Sequence, residues 1–262
     1  MRSRLSRRKE EFERIDRVME HPEDALVIHY SCESFYDRKD GKTPRVTSIA
    51  VRNLKSGQTN SFSIHKIAEQ KTSVGTIYGH YNQLEKEMLK EYFEYLKENQ
   101  GKTWIHWNMR DINYGFSALE HRFKALKGTP FLLIEVKKFD LSKAMVSLYG
   151  IEYIEHPRLT KLIKKNNDIT SKDFLTGEEE ADAFENKEYV KLHQSTLRKV
   201  DILANIFERI ADRTIKTNFK WYKAYRWHPK VLVELIKQNS IISFLVLVGS
   251  LWWIVEAMPR IM

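Results

Sequence analysis

Apolar and polar positions recur along this chain in two periods, and the switches between them lay out its elements. Leu5, Phe12, Ile15 and Val18 stand at near-helical spacing in a charged stretch, which predicts a helix over residues 3–21, ended by His21-Pro22. Three strand-like runs follow: ALVIHYS (25–31), RVTSIAVRN (45–53) and TNSFSIH (59–65). Turn chemistry such as Asp40-Gly41 and Ser56-Gly57 separates them, and alternation in the second and third predicts an antiparallel meander. From Tyr81 to Asn99, Leu84, Met88, Leu89, Tyr92, Phe93 and Leu96 mark one face of an amphipathic helix. A short fourth strand over Lys102 to Trp107, a helix over Asp111 to Leu126 and a fifth strand at FLLIEV (131–136) come next. Leu141 to Tyr149 is a further helix, residues 166–177 are polar, and helices run from Glu178 to about Arg213. A meander followed by helix-connected strands predicts an α/β domain, a mixed five-stranded sheet with helices on both faces.

The pattern changes again near the C-terminus. Residues 241–258 read IISFLVLVGSLWWIVEAM, and a helix of that length spans about 27 Å, close to the roughly 30 Å hydrocarbon core of a bilayer. Before it, RTIKTNFKWYKAYRWHPK (213–230) carries six basic residues and no acidic ones among five aromatic rings. Cations and interfacial aromatics beside an apolar span fit a single-pass anchor that leaves the N-terminal part in the cytoplasm. A buried C-terminal helix, or one that joins subunits, is the other reading of the run. The basic aromatic stretch also suits single-stranded nucleic acid, although its position favours lipid.

Length and charge narrow the classes further. A chain of 262 residues suits one domain with appendages: a charged helix (1–22), the α/β domain (23–212), a basic juxtamembrane segment (213–239) and a transmembrane helix (240–259). The formal charge of +9 favours anionic partners. Cys32 is the only cysteine, which excludes an intrachain disulfide, and the arginine-rich N-terminus lacks the apolar stretch of a secretory signal.

Three motifs stand in order on these elements: Ser31-Cys32-Glu33 at the end of the first strand, His106-Trp107-Asn108-Met109-Arg110-Asp111 after the fourth, and Leu197-Arg198-Lys199-Val200-Asp201 on a late helix. Over residues 25–212 this arrangement resembles the DEDD-type 3'-5' exonucleases of the ribonuclease H-like superfamily. Their first motif is Asp-x-Glu, their second His-Asn-x-x-Phe-Asp, and their third in one branch Tyr-x-x-x-Asp. The resemblance implies phosphodiester cleavage of DNA or RNA by two Mg or Mn ions, with Glu33, Asp111 and Asp201 as metal ligands and His106 in the catalytic set. It also places Ser31, Asn108, Arg110 and Lys199 against substrate. Ser31 stands where the family has its bridging Asp, and a neutral hydroxyl offsets two divalent charges poorly. That departure leaves open a one-metal site, rescue by Asp37, or a fold that has lost catalysis and serves as a tethered binding or scaffolding module.

Each acid has a plain structural role as well. Glu33 can end a strand in solvent, Asp111 can cap the helix after it, and Asp201 can pair with Arg198 or Lys199. Cys32 with His106 or His193 is a thiol–base pair in principle, yet a lone strand cysteine is usually packing. No HExxH or paired Cys/His spacing points to zinc, and no Gly-rich phosphate loop is present. Trp104, Trp107 and Tyr114 could stack on a base.

Overall fold

The computed structural model describes residues 4–33, 43–71, 77–166 and 172–220. Helix α1 (Arg4–Glu20) leads into β1 (Ala25–Cys32), β2 (Val46–Asn53) and β3 (Thr59–Ser63), and α2 (Ile64–Gln70) and α3 (Tyr81–Glu98) follow. Then come β4 (Thr103–His106), α4 (Phe116–Ala125), β5 (Lys138–Asp140), α5 (Leu141–Tyr149), α6 (Arg158–Lys165), α7 (Gly177–Glu185) and α8 (Tyr189–Ala211). The sheet order is β3-β2-β1-β4-β5. Its first three strands form the expected antiparallel meander, and β1, β4 and β5 run parallel. The α/β class and the mixed five-stranded sheet flanked by helices are therefore as the sequence predicts.

Strand β1 is buried along its whole length because helices cover both faces of the sheet. Leu26, Ile28 and Tyr30 pack with Leu84, Met88 and Tyr92 of α3 on one face; Ala25 and Val27 pack with Ile15 of α1, Met145 of α5 and Leu203 and Phe207 of α8 on the other. Burying each of the larger side chains contributes about 1.5–3 kcal/mol, and this is what holds α8 against β1 and β2. A buried ion pair joins α3 to α4: Arg122 Nε donates to Glu85 Oε1 at 2.8 Å, while Val46 N donates to the same oxygen at 2.7 Å.

Three expectations need correction. The fifth strand is residues 138–140, and the apolar run 131–136 lies outside the sheet. Only Leu133 of that run is buried, whereas Leu132, Ile134 and Val136 are 57%, 60% and 78% exposed. The register explains the shift: Phe139 pairs with Ile105 and fills the α8-side core, and Asp140 caps α5 by accepting from Lys143 N at 3.1 Å. Helix α4 starts at Phe116, because Asp111 folds into a tight turn instead of capping a helix. Helix α6 arises in a stretch with no assigned element, its apolar anchors being Leu162 and Ile163.

Candidate functional site

The sheet reverses its winding between β1, whose chain continues outward to β2, and β4, which starts the opposite half. In open α/β sheets ligands sit at such a switch point, outside the carboxyl ends of the parallel strands. A cleft of about 510 Å³ lies there, lined by His29 of β1, Trp107, Asn108, Arg110, Asp111 and Tyr114 beyond β4, the first turn of α6, Phe174 to Gly177 at the start of α7, and Lys199 of α8. A larger cavity of about 710 Å³ is bounded by Arg4, Arg7, Tyr149 and Phe219 at the far end of α5, away from this edge.

The turn after β4 shapes one wall. His106, the last residue of β4, is buried and accepts from Met109 N through Nδ1 at 3.1 Å. Burial lowers its pKa to about 4. Asn108 adopts a positive φ of 56° and accepts from Arg110 at 2.8 and 3.1 Å; Arg110 also meets Asp140 at 3.1 Å. Asp111 accepts from Asn113 N at 2.9 Å, an Asx turn that ends at Gly115. A side chain on Gly115 would stand 2.7 Å from the Met109 carbonyl, so glycine is what lets the loop close.

Beneath the cleft lies a buried polar network. Glu180 Oε1 receives Lys199 Nζ at 2.7 Å, Ser31 Oγ at 2.8 Å and Ser195 Oγ at 2.9 Å. Thr196 Oγ1 lies 2.8 Å from Ser31 Oγ and 2.5 Å from Ser48 Oγ, linking β1, β2 and α8. A buried carboxylate survives there because an ammonium and two hydroxyls compensate its desolvation, although Glu180 Oε2 has no partner. Above this network His29 bonds through Nδ1 to the Tyr114 hydroxyl at 3.1 Å. Burial, and then the Lys199 charge, hold its imidazole well below the ordinary histidine range.

The sequence-derived residues thus separate into three groups. Asn108, Arg110, Asp111 and Lys199 line the cleft, and Ser31 lies in the network below with His106 buried at the end of β4. Glu33 and Asp201 belong to neither. Arg45 grips Glu33 through contacts of 2.9 and 3.1 Å, while Asp201 pairs with Arg52 at 3.0 Å and faces Arg198 at 3.9 Å. Arg52 is in register with Val27, six residues back along β1 from Glu33, so these two acids stand about 20 Å apart along the sheet. Among the described residues no three His, Cys, Asp or Glu side chains form a group that could hold a metal ion. Asp37 lies outside them. The physical reason is facing: on β1, Ser31 points toward α8, and on α8, Thr196 and Lys199 point back, which leaves Asp201, two residues and about half a turn beyond Lys199, on another side of the helix. A hard cation pair needs several anionic oxygens at about 2.0–2.6 Å, and this donor set, Asp111 on the cleft wall and Glu180 already paired with the Lys199 ammonium, does not fit it.

Sequence reasoning missed His29, Glu180, Thr196 and Arg158. The signal was in α8: Leu192, Thr196, Lys199 and Leu203 follow one helical stripe, and two polar residues interrupt an apolar face. Comparison with family models, with curated proteins and with solved structures gives no match.

Proposed function

We propose that the chain is a non-catalytic nucleic-acid-binding module on a ribonuclease H-like domain, tethered to a membrane by residues 240–259, which lie outside the described residues. The supporting observation is the ion pair under the cleft: where a two-metal nuclease needs free carboxylates, Lys199 neutralises Glu180 and Ser31 is a hydrogen-bond donor to it. The cleft surface carries Arg110 and Arg158 against one carboxylate, Asp111, with Asp140 paired to Arg110, while Lys199 is buried against Glu180 below. The first turn of α6 has no side-chain cap, so its backbone N–H groups add donors for phosphate oxygens. Trp107, Tyr114 and Phe174 supply flat surfaces for a base.

The test uses the full chain in detergent micelles with fluorescently labelled single-stranded RNA and DNA. Anisotropy in EDTA should show binding that weakens with salt, and Arg158→Ala should reduce the log–log salt slope by about 0.7, the share of one phosphate contact on a single strand. Denaturing gels should show intact oligonucleotide in Mg or Mn. Shortening that requires Mn and disappears in Asp111→Asn would establish the nuclease instead.

A further inference from the structure

Building on the membrane tether in that reading, we infer that the larger cavity at the far end of α5 is a docking site for the phosphate headgroups of anionic lipids. The domain then lies with this end on the membrane and the cleft facing away from it.

Charge, exposure and the path of the chain meet at this cavity. Its walls carry Arg4, Arg7 and Lys220, all exposed, against one acid, Glu152. Arg4 Nη2 donates to the Tyr149 carbonyl at 3.3 Å, which uses one of the several N–H groups of its guanidinium. Guanidinium forks match phosphate oxygens in pairs, and lysine adds a point charge. Ile151, also in the wall, is 67% exposed. Cations beside an exposed aliphatic side chain suit the boundary between headgroups and acyl chains, whereas a phosphodiester backbone offers the isoleucine no apolar partner. The exit of the chain is fixed to the same place. After α8, Arg213 pairs with Asp16 of α1 at 2.8 Å, Lys216 N donates to Asn166 at 2.9 Å, and Asn218 N donates to the Tyr153 carbonyl at 2.7 Å. Phe219 then packs against Tyr149, with centroids 5.7 Å apart, and the Arg8 guanidinium stands 5.2 Å from its ring centre. The sequence that follows Lys220 is the rest of the basic aromatic stretch and then the apolar run, so the tether starts at the cavity wall. Helix α5 sets the orientation: Ser142 in its first turn lines the cleft and Tyr149 in its last lines the cavity, about 10 Å apart along the axis. Headgroups hold one end while nucleic acid enters the other.

The test reconstitutes the full chain in nanodiscs of phosphatidylcholine, alone or with phosphatidylglycerol, and places a maleimide dye on Ile151→Cys, Cys32 being buried. A lipid with a quencher on its acyl chain reads contact. The dye should be quenched in the anionic discs and not in the neutral ones. The same dye on Ile112→Cys, exposed in the turn after β4, should stay bright in both. Each lost cation should lower the ratio of docked to undocked chain about 5-fold, in Lys220→Gln and twice over in Arg4→Gln with Arg7→Gln. All three side chains are exposed, so the fold should survive their loss. An Ile151 dye that stays bright in anionic discs, is quenched equally in both lipids, or is unaffected by the paired arginine variant overturns the inference. Oligonucleotide binding that persists in that case leaves the binding module standing. If the arginine variant instead loses oligonucleotide affinity with quenching intact, the cavity belongs to nucleic acid and the inference is again overturned. A chain that stays in solution without detergent removes the tether. Its failure to float with phosphatidylglycerol vesicles would then remove the docking site as well, and flotation that requires Arg4 and Arg7 would sustain it.

Discussion

Glu180 and Lys199 are both buried, and each is the other's ion-pair partner. Lys199→Met or Glu180→Leu alone should cost about 3–5 kcal/mol in urea unfolding, because either leaves one uncompensated buried ion. The double variant should recover most of that loss, and a simple sum of the two costs would show that they do not act as a pair. The buried histidines give the same residue-scale physics a pH dependence. Burial lowers His106 to about 4 and His193 to about 3, against roughly 6.5 in the unfolded chain. Below about pH 6.5 the unfolded state therefore binds protons that the folded state does not. Stability is full above that pH and falls as pH drops toward the folded values. The urea midpoint should be lower at pH 4.5 than at pH 7.5, and His193→Gln should flatten the difference.

At the level of elements, the segment before α5 separates pattern from packing. FLLIEV carries strand composition, yet the chain uses KFD to pair with β4, since only Phe139 reaches the space between α5 and α8. Phe139→Ala should cost about 3–5 kcal/mol, whereas Ile134→Lys should change stability by about 0.5 kcal/mol or less. The reverse order in urea unfolding would put residues 131–136 back in the sheet. Helix α3 was legible to within a residue because its apolar stripe runs through five turns. Helix α6 was not, because RLTKLIKK buries only Leu162 and Ile163 and its neighbours are polar. The late start of α4 was hidden by Asp111, which serves a turn as well as it would serve a cap.

Across the whole molecule, strand order and the location of the cleft follow from the order of elements, since a meander joined to helix-connected strands leaves one switch point. What fills that point does not follow, because it joins Ser31 to Glu180 across 149 residues and to Thr196 across 165. Spacing within a motif reports which residues share an element; here Glu33 leaves the same end of the sheet as Asp111 but is held by Arg45 on the α3 side, and Asp201, on the α8 side, pairs with Arg52 toward the opposite end. The tail (240–259) and Asp37 lie outside the described residues, and no helix among those described is long and apolar enough to cross a membrane. The most direct test is a Mn titration of the full chain followed by calorimetry, on wild type, Asp111→Asn and Asp201→Asn. Dispersed acids predict no saturable site and identical traces for all three proteins. A stoichiometric site that vanishes in both variants would mean that these carboxylates meet after all.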